Sequence, residues 1–139
     1  MRLVILPCLL LLSAASPGGS PVVVTVSGVT GSQGRVHVDI CTPKSFTREN
    51  CPWSAEAPAR KGTTVVTVPN VPPGRYAAQA YYDANSNGKG DRNLIGMPTE
   101  LVGFSRDVKV KMARPKFDDA AFAHGDGGSQ ITFAVRKIP

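Results

Sequence analysis

Between Arg35 and Cys41 the chain reads Arg-Val-His-Val-Asp-Ile-Cys, polar and apolar by turns. A period of two is the mark of an extended strand with one face buried, and it is incompatible with a helix. The parity turns Val36, Val38 and Ile40 inward and sends His37, Asp39 and Cys41 outward. The same kind of signal recurs along the sequence. Val22 to Val29 is β-branched and runs into the turn residues Gly28-Val29-Thr30-Gly31, and Thr63 to Val68 is a second β-branched run closed by Val71-Pro72-Pro73-Gly74. Arg75 to Tyr82 sets Tyr76, Ala78, Ala80 and Tyr82 on one face and Ala77, Gln79 and Tyr81 on the other. Val108 to Met112 alternates, and Ile131, Phe133 and Val135 alternate with Thr132, Ala134 and Arg136.

No segment sustains a helical period. About seven short strands separated by turn clusters predict an all-β fold, most simply an antiparallel β-sandwich of immunoglobulin-like or transthyretin-like shape. The small alanines of the Arg75 to Tyr82 strand suit close packing against a second sheet.

The amino terminus has a different character. Met1-Arg2 is a short basic start, Leu3 to Leu12 is nearly unbroken apolar sequence, and Ser13-Ala14-Ala15 supplies the small residues a signal peptidase needs. The apolar run is too short to span a bilayer of about 30 Å, and Pro7 before Cys8 is wrong for lipid attachment there. Residues 1–20 are therefore expected to be a signal peptide and short leader, and residues 21–139 one domain without a membrane span. Periplasmic or secreted localisation follows.

Loss of the leader removes Cys8 and leaves Cys41 and Cys51 of the three cysteines. In an oxidising compartment that pair is expected to form a disulfide around Thr42 to Asn50, since two cysteines without a second pair make a poor zinc set. The formal charge of +6 is spread over Arg35, Lys44, Arg60-Lys61, Lys109, Lys111, Arg114, Lys116 and Arg136-Lys137. Cations scattered in this way, away from aromatics, give no footprint for nucleic acid.

One segment carries metal-binding chemistry. Asp83-Ala84-Asn85-Ser86-Asn87-Gly88-Lys89-Gly90-Asp91 puts oxygen-bearing side chains at alternate positions and glycine at the sixth. Calcium takes six to eight oxygens, alternate residues can face one centre, and glycine allows the sharp turn. The candidate ligands are Asp83, Asn85, Asn87, the Lys89 carbonyl and Asp91. Leu94 stands where a bidentate glutamate would close such a loop, Lys89 and Arg92 oppose the ion, and Glu100 is the best further ligand because Gly96 and Pro98 can turn the chain back. Calcium binding would be weak. The alternative is a plain hairpin turn at Asn87-Gly88.

The stretch Gly74-x-Tyr76-Ala77-x-x-Ala80-Tyr81-Tyr82-Asp83-x-Asn85-x-Asn87-Gly88-Lys89-x-Asp91-x-Asn93-x-x-Gly96-x-Pro98-x-Glu100-x-x-Gly103-Phe104-Ser105 resembles the signature of a bacterial exported family catalogued as domain of unknown function 2141. The later Pro115-x-Phe117-x-Asp119-Ala120-Ala121-Phe122 is similar to it too. The resemblance implies a β-sandwich module with no assigned activity. It also marks two departures, because family members often carry histidine at Tyr82 and a larger apolar residue at Gly90. The Asp83 loop is further similar to calcium-bearing repeats of bacterial surface adhesins.

Catalytic signatures are weak. No Gly-x-Ser-x-Gly occurs around Ser105 or Ser129. His37 and His124 are both expected at the surface. Asp118-Asp119, if extended, would point to opposite faces. Trp53 is expected to cover the disulfide and one end of the sandwich. The function expected is an exported, non-catalytic binding or structural module with an unknown protein or small-molecule ligand outside the cytoplasm. The alternative is a small metal-dependent hydrolase built on the Asp83–Asp91 loop.

Overall fold

The computed structural model describes residues 18–86, 100–110 and 113–138. In chain order the strands are β1 (Ser20–Val29), β2 (Arg35–Cys41), β3 (Trp53–Pro58), β4 (Gly62–Val71), β5 (Gly74–Asp83), β6 (Val102–Phe104), β7 (Phe122–His124) and β8 (Ser129–Ala134). A 3₁₀ turn at Ser105–Asp107 and a one-turn helix, α1 (Phe117–Ala120), lie between β6 and β7. The strands make two layers. One sheet has the order β4-β1-β8 and the other β3-β2-β5-β6, with β7 paired to β5.

Alternation builds the core. Val22, Val24 and Val26 of β1 and Val66 and Val68 of β4 face Val36, Val38 and Ile40 of β2, with Ala78 and Ala80 of β5 and Phe133 of β8 in the same cluster. Each fully buried valine or isoleucine stabilises the sandwich by roughly 1.5–3 kcal/mol relative to an exposed one. The all-β sandwich expected from the strand pattern is what forms. One pairing departs from the antiparallel rule, since β8 runs parallel to β1 along Val22↔Ser129 to Ser27↔Ala134. Parallel neighbours need a long connection, and strands from opposite ends of the domain have one.

A second, smaller cluster sits on the far side of the larger sheet. The loop after β2 folds back across that sheet, tied by the Cys41–Cys51 disulfide. It lays Phe46 over Cys41 and Ala77, and Ala120 of α1 completes the cluster. Phe46 meets Phe104 and Phe117 edge to face, with centroids 5.7 and 6.2 Å away. Cys41 thus points outward from the main core, as its parity requires, yet is fully buried. Ser105 locks the arrangement, accepting from the Ala78 N–H at 2.8 Å and donating to the Ala120 carbonyl at 2.5 Å.

Several local expectations fail for identifiable reasons. Residues 108–110 form no strand, and 111–112 lie outside the described residues. The edge of β6 that this segment would need is occupied by Arg136, whose backbone exchanges hydrogen bonds of 2.9 and 2.7 Å with Val102. Arg106 and Asp107, at φ 59° and 58°, also turn the chain aside. The alternation there instead places Val108 against the second cluster. Asp118 and Asp119 lie on α1 rather than in extended chain, and Asp118 pairs with Arg75 at 2.9 Å. Trp53 packs edge to face on Tyr76 at 5.2 Å and joins the main core, not the disulfide.

Candidate functional site

The covering loop reaches only part of the larger sheet's outer face. Gln79 of β5 marks the border. Its Oε1 accepts from the Thr47 N–H at 2.8 Å, while its Nε2 donates to the Arg48 carbonyl at 2.8 Å and to Asp39 Oδ2 at 3.0 Å. Beyond Gln79 the strand registers line up polar side chains in rows. Glu56 of β3, His37 of β2 and Tyr81 of β5 make one row, and Ser54, Asp39 and Gln79 the next. Arg35 is opposite Asp83.

His37 is the centre of this network. Its Nε2 lies 2.6 Å from Asp39 Oδ1 and its Nδ1 lies 3.1 Å from Glu56 Oε1. Carboxylate oxygens can only accept, so both ring nitrogens donate, which is the imidazolium state. Burial works to lower the His37 pKa, but the hydrogen bonds and charges of Asp39 and Glu56 outweigh it and the net shift is upward. Arg35 Nε donates to the other Glu56 oxygen at 2.9 Å. The His37 ring stacks on Tyr81 with centroids 4.8 Å apart. His37 is therefore partly covered and engaged on both nitrogens, where an exposed side chain had been expected.

Several carboxylates act on Tyr81 in a chain whose net charge is positive. The Tyr81 hydroxyl is pushed up to about 12, first by burial and then by the charges of Asp39, Asp83, Glu56 and Glu100. Asp39 is 8 % exposed and Asp83 2 %. The gathering of Asp83 and Glu100 follows from topology. The β5–β6 register pairs Gln79 with Phe104 and Tyr81 with Val102, so extending it by two residues sets Glu100 opposite Asp83. These residues form the neck of the connection that carries the candidate calcium loop. Asn85 is described and exposed, whereas Asn87, Lys89 and Asp91 lie outside the described residues. Among the described residues, no three histidine, cysteine, aspartate or glutamate side chains are grouped to hold a metal.

The other histidine is also not where its glycine-rich context suggested. His124 is 3 % exposed. Its Nε2 lies 2.9 Å from the Val71 carbonyl, with Ser20 Oγ at 3.1 Å, and its Nδ1 lies 2.6 Å from Ser129 Oγ. It thus clasps the start of β1, the end of β4 and the start of β8 together. Sequence reasoning reached Asp83 and Glu100 but missed Arg35, Asp39, Glu56, Gln79 and Tyr81 as a group. The signal available was the run of polar outward positions Arg35, His37 and Asp39.

A family model described as "Uncharacterized protein conserved in bacteria (DUF2141)" matches residues 24–132. The chain belongs to this family. The match starts inside β1 and ends inside β8, so it takes in the polar face, the covering loop and the neck at Asp83 and Glu100. Neither the curated proteins nor the solved structures give a match. Among the described residues, no helix is long and apolar enough to cross a membrane.

Proposed function

We propose that this chain is an exported, non-catalytic binding module whose ligand face is the polar half of the larger sheet together with the loop that begins at Asp83. The observation that carries this reading is the strand register that gathers Asp39, Glu56 and Asp83 on the outer face shared with Tyr81, with Glu100 across from Asp83, in a chain of net positive charge. A face rich in carboxylates concentrates cations. The engagement of both His37 nitrogens favours recognition over catalysis, because a general base needs a nitrogen that can take up a proton.

Within this reading Asp83, Asn85, Asn87, the Lys89 carbonyl and Asp91 hold one calcium ion, with Glu100 as a further ligand across the neck. With so few charged ligands the dissociation constant falls in the range of about 10⁻⁴–10⁻³ M. Calcium at millimolar concentration should raise the melting temperature by mass action. Asp83→Asn and Glu100→Gln should each diminish that gain. A melting curve and binding heat that do not respond to calcium would leave the segment as a plain hairpin connection. Export is tested by sequencing the amino terminus of the protein recovered from the periplasm or medium, where an intact Met1 would refute it.

A further inference from the structure

Beside β6 lie two segments outside the named strands, residues 108–110 and residues 136–138, the latter touching β6 only through the Val102–Arg136 bridge, and a groove of about 160 Å³ lies between them. Val102, Val108, Val110 and Ile138 make its apolar floor. Lys109, Arg136 and Lys137 line it as well, and among the described residues no carboxylate does. We propose that this groove binds a small organic monocarboxylate whose apolar body has about six carbons.

Three observations define that ligand. The first is size, since an apolar cavity of about 150 Å³ accepts a benzene ring. The second is charge. Among the described residues neither Lys109 nor Lys137 has an ion-pair partner, whereas Arg136 is already paired with Asp107 at 2.9 Å. Asp107 in turn accepts from the Ala134 N–H at 3.1 Å. Asp107 is thus held by Arg136 and Ala134, with Lys109 acting on it only through its charge, and the Lys109 and Lys137 ammonium groups can turn to an incoming carboxylate. The third is backbone. Val102 spends its N–H and carbonyl on Arg136, so an added peptide strand finds no open edge there and a compact molecule is favoured. The site does not depend on the polar face or on calcium.

Benzoate is the probe, titrated into the ¹⁵N-labelled full chain to about 20 mM, with acetate, benzamide and benzylammonium as controls. A ligand of so few heavy atoms should bind with Kd of about 10⁻³ M, shifting the amide resonances of Val102, Val110 and Ile138. Acetate lacks the body, benzamide the charge, and benzylammonium has the wrong sign, so each should bind at least about tenfold more weakly. The double variant Lys109→Gln, Lys137→Gln should lose about tenfold in benzoate affinity with an unchanged spectrum elsewhere, because both side chains are at the surface. Raising the salt should weaken binding to the wild type. No benzoate-induced shift at these residues, or equal binding by benzamide or acetate, or no loss in the double variant, would overturn the assignment.

Discussion

Replacing both members of the Cys41–Cys51 disulfide by alanine removes a cross-link that closes a short loop, ten residues in separation. Chain-entropy arithmetic for a closure of that length gives a loss of about 2.7 kcal/mol, through the greater freedom of the unfolded chain. At roughly 2.1 cal/mol/K per residue of unfolding entropy, a domain of this size should melt about 10 °C lower. The native state should keep its form. Phe46 still has Phe104 and Phe117 to pack on, and Gln79 still holds Thr47 and Arg48. Alanine at position 41 also leaves no polar atom beneath that cover. The assay is urea unfolding followed by the fluorescence of Trp53, the single tryptophan, which reports the main core through its contact with Tyr76. The midpoint should fall while the slope stays the same or rises slightly, since an uncross-linked chain exposes more surface. A loss under about 1 kcal/mol would refute the reasoning, because the loop would then be constrained in the unfolded chain without its bridge.

Two further outcomes test the polar network and the second cluster. Ser105→Ala strips a buried hydroxyl that satisfies the Ala78 N–H and the Ala120 carbonyl, so about 2 kcal/mol of stability should be lost, read as a lower urea midpoint. The pKa of His37 is raised in the folded state, so its contribution is full below the unfolded value of about 6.5 and fades as the pH rises through the higher folded value. Unfolding in urea should show the wild type losing on the order of 1 kcal/mol or less between the acidic and alkaline sides of that window. His37→Gln should flatten the profile, and an unflattened one would mean that the titration belongs to another group.

The main core was legible because β1, β2, β4 and β5 are strongly alternating or β-branched, and a period of two admits one answer where one face is buried. The segments that escaped lack such a signal. β3 reads Trp-Ser-Ala-Glu-Ala-Pro, whose small residues have little strand preference, so Glu56 could not be placed across from His37 until β3 was known to pair with β2. The alternation begun at Val108 to Val110 shows the converse, since these three residues carry a strand pattern but have no edge of β6 to join.

His37 joins these two lessons. Its outward parity was correct, and an outward histidine on an isolated strand would be solvated. Exposure depends on what the neighbouring strands bring to the same row, and that is fixed by register rather than by local sequence. Glu56 arrives from a strand with almost no signature and Tyr81 from one with a strong signature, so half of the row was foreseeable. The same holds at the neck, where the gap between Asp83 and Glu100 in sequence is closed by the antiparallel register of β5 and β6. A polar site on the outside of a sandwich is therefore assembled across strands, and each of its members looks like ordinary surface polarity when read along the chain. The site becomes distinguishable only through charge. Asp39, Glu56, Asp83 and Glu100 all act on Tyr81 through their charges, a grouping that no single strand announces. Within that grouping His37 pairs with Asp39 and Glu56, and Arg35 with Glu56, so both cations that meet Glu56 come from the neighbouring strand rather than from its own.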